Sequence, residues 1–212
     1  IRGADVPHTP FALSFAVLNA DSSLDLFIDP RKSSPELSAH LGNQVRVRAP
    51  SEFAPALDAL KSKSVLADPQ WAAAFIFDRL ERAGAKIVRA SDPCQLPKAC
   101  KNEAELEGTR KAHVRDGAAL SRFLAWFARE APSGQLTEID AVEKLEAFRY
   151  ATGVLKDLSF DSISGAGPNG AIVHYRVTKK TNRRIEPGQL FLIHSGAQFQ
   201  DAPGVREVRY AT

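Results

Sequence analysis

The sequence predicts two units that mix helix and strand in different ways, a layered α/β unit over residues 1–96 and an α+β unit over residues 97–212. Three observations support this. Through the first hundred residues, short β-rich runs alternate with helical patterns of about ten residues. Asp92-Pro93-Cys94-Gln95-Leu96-Pro97 then places two prolines in six positions, a composition suited to a linker. Beyond it, two helical patterns precede a β-rich, glycine-punctuated remainder from residue 155, the order expected when helices cover a curved antiparallel sheet.

Residues 11–18 and 24–28 are rich in Phe, Leu, Val and Ile, and the polar Asn19-Ala20-Asp21-Ser22-Ser23 between them suits a hairpin. Ser34-Pro35-Glu36 supplies an N-cap with proline at the first helical position, and Gly42-Asn43 should stop that helix. Val45 and Val47 alternate with Arg46 and Arg48, as in a strand with one exposed face. Ser51 is expected to cap a helix reaching Leu60, followed by a short strand at residues 64–66. A helix over residues 70–83 should follow Pro69 and end at Gly84, with Lys86-Ile87-Val88 as the next strand.

In the second unit, residues 102–130 read as one long helix with Leu106, Val114, Leu120, Leu124 and Phe127 on its buried face. Pro132-Ser133-Gly134 terminates it. Thr137 is the expected N-cap of the next helix, and the early acids Glu138 and Asp140 complement its dipole. Ile139, Val142, Leu145 and Phe148 form its expected buried stripe, and Gly153 closes it.

Composition excludes several classes. A net charge of +3, from 28 basic and 25 acidic residues, gives no ground for a nucleic-acid partner. The basic run Lys179-Lys180-Thr181-Asn182-Arg183-Arg184 reads as a solvated loop. No apolar run, Trp71 to Phe77 included, approaches the roughly 20 residues of a membrane span, so no membrane partner and a cytoplasmic location are expected. Cys94 and Cys100 lack the further Cys and His of a zinc site and read as reduced packing residues. The chain begins at Ile1 and contains no Met, as expected of a fragment of a longer protein.

The chemistry-bearing stretch is Gly165-Ala166-Gly167-Pro168-Asn169-Gly170-Ala171-Ile172-Val173-His174-Tyr175, followed by Leu190-Phe191-Leu192-Ile193-His194-Ser195-Gly196-Ala197-Gln198. The glycine loop lacks both the Gly-Lys-Ser/Thr of a phosphate cradle and a following helix, so it reads as a tight connection into a strand over residues 171–175. On that strand His174 would share a face with Ile172. A lone histidine in such a place is ordinarily a packed residue.

These segments, together with Arg2-Gly3-Ala4-Asp5-Val6, Lys101-Asn102-Glu103-Ala104-Glu105 and Arg110-Lys111-Ala112-His113, resemble the Xaa-Pro aminopeptidase (aminopeptidase P) branch of the M24 pita-bread metallopeptidases. The resemblance implies a creatinase-like N-terminal α/β domain over residues 1–96 and the first half of a pita-bread α+β domain over residues 97–212. It implies a substrate peptide with proline second, and a role for His174 in contacting substrate and moving a proton. Family members hold two divalent ions, Mn or Zn, on two Asp, one His and two Glu. The first Asp position is His194 here and the second, by spacing, is Val205, with Glu207 as a displaced acid under a shifted alignment. His194 is therefore the candidate metal ligand, at a position where a neutral imidazole cannot bridge two ions as a carboxylate does. The chain ends before any match to the remaining His and Glu residues, so a truncated or inactive form, with no complete metal centre of its own, is expected. A homodimer is the assembly to test. Alternative readings are a non-catalytic pita-bread scaffold, as in the large subunit of a histone chaperone, and a creatinase- or prolidase-like hydrolase.

Overall fold

The computed structural model describes residues 3–201 and 204–211, and the chain divides into two compact units. Arg2 and the side chains of Val205 and Glu207 lie outside the described residues. The first unit comprises Ile1–Val6 and Pro10–Cys100, the second Pro7–Thr9 and Lys101–Thr212.

In the first unit, β1 (Ser14–Leu18) pairs antiparallel with β2 (Leu24–Ile28), and α1 (Pro35–Leu41) leads to β3 (Val45–Arg48), parallel to β2. Ser34 caps α1 by accepting from the Leu37 amide, as its sequence predicts. The helix expected from Ser51 starts later, as α2 (Phe53–Asp58), because Pro50–Glu52 forms a 3-10 turn. The Glu52 carboxylate closes that turn on the Ala49 amide at 2.9 Å. After β4 (Ser64–Ala67), the helix expected at residue 70 begins only at α3 (Ala74–Ala83). The buried Asp68 accounts for the delay: it accepts from the Gln70 amide and, across the unit, from the Asp92 amide, each at 2.8 Å. Gly84 takes φ +75 at the helix end, and β5 (Lys86–Arg89) pairs parallel with β4. Phe27, Phe53, Leu57 and Leu80 form the core. A short helix, α4 (Gln95–Ala99), occupies the expected linker, and Cys94 and Cys100 at its ends are exposed thiols rather than packing residues, since a helix this short has no buried face to offer them.

In the second unit, α5 (Glu103–Glu130) and α6 (Glu138–Tyr150) pack on each other, and α5 lies on a four-stranded antiparallel sheet of β6 (Leu155–Leu158), β7 (Ile163–Ala166), β8 (Phe191–Asp201) and β9 (Gly204–Ala211). The long β8 is the spine: β7 and β6 share one of its edges in succession, and β9 runs along the other. The buried face of α5 differs from the expected one. Val114 is 76% exposed and Leu106 and Leu124 are also exposed, while Gly108, Ala112, Asp116, Ala119, Leu120 and Phe123 are buried. Small residues let the sheet approach the helix closely, and a buried acid interrupts the apolar periodicity. On α6 the buried positions are Glu138, Ala141, Leu145 and Arg149; of the expected stripe only Leu145 is fully buried.

Candidate functional site

Alternation along β8 separates two tasks. Ile193, Ser195, Ala197 and Phe199 are buried; Ile193 joins a core with Leu120, Phe123, Ala141, Leu145, Ala166 and Ile185, and Ala197 and Phe199 pack with Ala112. Ser195 meets charge instead. The Arg149 guanidinium, fully buried, donates from Nε (2.9 Å) and Nη2 (3.1 Å) to the two oxygens of the equally buried Asp116. Its Nη1 donates to Ser195 Oγ at 2.6 Å, and Ser195 Oγ also bonds Ser162 Oγ at 2.7 Å. One ion pair thus fastens α5, α6, β8 and the segment before β7 together.

The even-numbered residues face the other way. His194 is half-buried, with its ring against Phe160 at 4.8 Å between centroids, and its backbone pairs with Ile163 and Ala211. On the same face the Gln198 amide donates to the His8 carbonyl at 2.5 Å. His8 has φ +59; its Nδ1 lies 3.0 Å from the Leu158 carbonyl and 3.4 Å from Asp157, and its Nε2 lies 3.5 Å from Asp161. Arg176 pairs with the other oxygen of Asp161.

His174 does not lie on a strand. The expected strand over residues 171–175 is absent; the chain instead makes a 3-10 turn, Gly167–Ala171, and a further turn in which the Tyr175 amide donates to the Ile172 carbonyl. Gly165 and Gly170 touch too closely for a regular hairpin: a Cβ on Gly165 would fall 2.7 Å from the Gly170 nitrogen. His174 is exposed, with φ +53. Tyr175, next to it, is buried.

The loop is held by Glu138, which the helix pattern marks only as a dipole-complementing acid. Glu138 is fully buried; Oε1 accepts from the Ala166 amide (2.7 Å) and Asn169 Nδ2 (2.9 Å), and Oε2 accepts from the Arg183 amide (3.0 Å) and the Tyr175 hydroxyl (3.1 Å). Its own carbonyl accepts from Ser164 Oγ, and its amide donates to the Arg183 carbonyl. Burial raises the pKa of the Tyr175 hydroxyl, which keeps it a donor. The basic run is solvated, as its composition predicts.

Sequence reasoning passed over Glu138, Asp116, Arg149 and Ser195. A signal existed for Asp116, which falls on the face shared by Ala112, Ala119, Leu120 and Phe123. Among the described residues, no hydrogen bond, ion pair or ring contact joins His174 to His194, and no group of three His, Cys, Asp or Glu side chains is placed to hold a metal ion. With its ring packed on Phe160 and no companion donors, His194 does not fit a two-metal centre built from these residues alone. No helix among the described residues is long and apolar enough to cross a membrane.

Residues 1–105 match the creatinase/prolidase N-terminal domain and residues 107–203 match metallopeptidase family M24. A probable Xaa-Pro aminopeptidase P of Talaromyces stipitatus is 36% identical across 95% of this chain, which spans 32% of that protein. An X-prolyl aminopeptidase of Caenorhabditis elegans, described as a cytosolic enzyme with a di-nuclear active site, superposes with a TM-score of 0.83 at 29% identity; the match covers 100% of this chain and 35% of that one. A prolidase of Thermococcus sibiricus shares the fold at a TM-score of 0.64 and 20% identity, over 95% of this chain and 54% of its own. The chain therefore spans about a third of the length of the aminopeptidases it matches.

Proposed function

We propose that the chain, whose residues 107–203 match metallopeptidase family M24 behind a creatinase/prolidase N-terminal domain over residues 1–105, forms part of a metalloaminopeptidase that removes the N-terminal residue from peptides with proline second. Residues 1–96 are the creatinase-like domain in this reading, and residues 97–212 the first half of the pita-bread domain. The observation that carries it is the 36% identity to an Xaa-Pro aminopeptidase P across 95% of the chain, through both domains in order. His174 acts on the substrate side: exposed on a fixed loop, its imidazole contacts the peptide and takes part in proton transfer. The family's Mn or Zn pair is not assembled by these residues alone, and His194 contributes at most one ligand to one ion. A cytoplasmic location and a homodimeric assembly belong to the same reading. No observation favours a non-catalytic scaffold.

Two measurements test it. The purified chain with added Mn or Zn is expected to release no N-terminal residue from an Xaa-Pro-Xaa peptide; release abolished by His174→Ala would show that the missing ligands are not needed. Titration of Ala-Pro-Ala, followed at the His174 ring proton by NMR, should shift that resonance while Ala-Gly-Ala does not. A ring unmoved by millimolar Ala-Pro-Ala would remove His174 from the substrate side.

A further inference from the structure

The loop that carries His174 has almost no regular structure of its own. Between Ala166 and Phe191 it contains one 3-10 turn and an isolated bridge from Thr137 to Arg184. Its backbone groups are exposed to competing water over much of its length, so a defined conformation needs anchors from outside. The Glu138 carboxylate supplies them. Every donor it receives comes from the loop or its flank, from Ala166 and Asn169 on one side of His174 and from Tyr175 and Arg183 on the other. None of these donors is a cation. The negative charge is balanced by oriented amide and hydroxyl dipoles at the first turn of α6, which fixes direction as well as distance.

Two further details separate this role from helix capping. Thr137 already caps α6: its Oγ1 accepts from the Asp140 amide, and the Asp140 carboxylate accepts in return from the Thr137 amide. Tyr175, bonded to Glu138, is adjacent to His174, whose φ of +53 is costly for a residue with a Cβ and persists only where the neighbours over-determine it.

We infer that Glu138 is a positioning residue, whose buried carboxylate closes the Ala166-to-Arg183 loop and thereby fixes the backbone that presents His174. The geometry stands without any assumption about catalysis; its purpose rests on the substrate-side role proposed for His174.

Glu138→Gln tests this in the peptide-free chain by amide hydrogen exchange. A glutamine fits the space, but its nitrogen must face either the Ala166 or the Arg183 amide, so one of those two amides should exchange about tenfold faster. The His174 ring proton should shift, while amides of β8 and of α6 beyond its first turn keep wild-type rates. Unchanged exchange at both loop amides overturns the inference, and so does equal acceleration through β8 and α6, which a merely structural role would produce. If Glu138→Gln does not fold, Tyr175→Phe decides: it removes one donor, and the His174 ring proton should still move; an unmoved ring overturns the inference. Loop exchange as expected, with a His174 ring indifferent to Ala-Pro-Ala, would leave the positioning intact and remove only the substrate-side role.

Discussion

Replacing Asp116 by Asn keeps the shape of the side chain and one acceptor but leaves the Arg149 guanidinium as an uncompensated charge at 0% exposure. Two hydrogen bonds, at 2.9 and 3.1 Å, lose their charged acceptor, and Ser195 Oγ at 2.6 Å is too weak a partner to replace it. Breaking a buried pair in this way costs about 3–5 kcal/mol. Against a domain stability of about 5–15 kcal/mol, that is from about a fifth of the total to all of it. Urea denaturation followed by the fluorescence of Trp126, which packs against the α5/α6 core, in a Trp71→Phe background gives the number directly. The paired change Asp116→Leu with Arg149→Met removes both charges and should recover most of the loss, because burying the pair costs solvation that apolar side chains do not. A single-mutant cost below about 1 kcal/mol, or a double mutant no more stable than Asp116→Asn, would refute the view that each partner chiefly neutralises the other.

Three other outcomes are expected. Gly165→Ala should destabilise the second unit by about 1–3 kcal/mol, read as a lowered urea midpoint, because the new Cβ would press against the backbone of Asn169 and Gly170 rather than a side chain that can move aside. Glu146→Gln should stabilise the protein at neutral pH. Burial raises the Glu146 pKa above 4.5, so the folded state holds a proton that the unfolded state releases, and this group's contribution falls as pH rises from 4.5 through the folded value. The stability difference between variant and wild type should therefore grow over that interval and then level off; a difference constant with pH contradicts the assignment. Calorimetric titration with Zn should show no tight two-site isotherm, and His194→Ala should remove most of any heat observed; two tight equivalents would place ligands that the described residues do not show.

Much of the first unit was legible because its signals are local. Ser34-Pro35 opens a helix and Gly84 closes one through backbone geometry that neighbouring residues dictate. The start of α3 was not, since Asp68 draws its turn partly from the Asp92 amide, far along the chain. In the second unit the periodicity argument misplaced the buried face of α5 because it treats charge as exposed, whereas Asp116 and Arg149 bury each other. His174 stood out through its motif, yet the residues after Gly170 form a turn; β propensity in Ile172 and Val173 gave way to the anchor at Tyr175, leaving both exposed. Glu138 looked like any acid at a helix start, because its partners are loop amides that no pattern in α6 reveals.

The arrangement of β8 bears on how such a site can diverge. Ser195, locked to Arg149, and Ile193, Ala197 and Phe199, locked into cores, fix the length and phase of the strand from one face. Three partner strands do so from both edges. Residue 194 faces away from all of this, so its chemical identity can drift with little effect on folding, while inserting or deleting one residue beside it would turn every side chain beyond that point to the wrong face. A strand built in this way is permissive to substitution and intolerant of length change, and a lineage can exchange the residue at this point while the architecture around it persists.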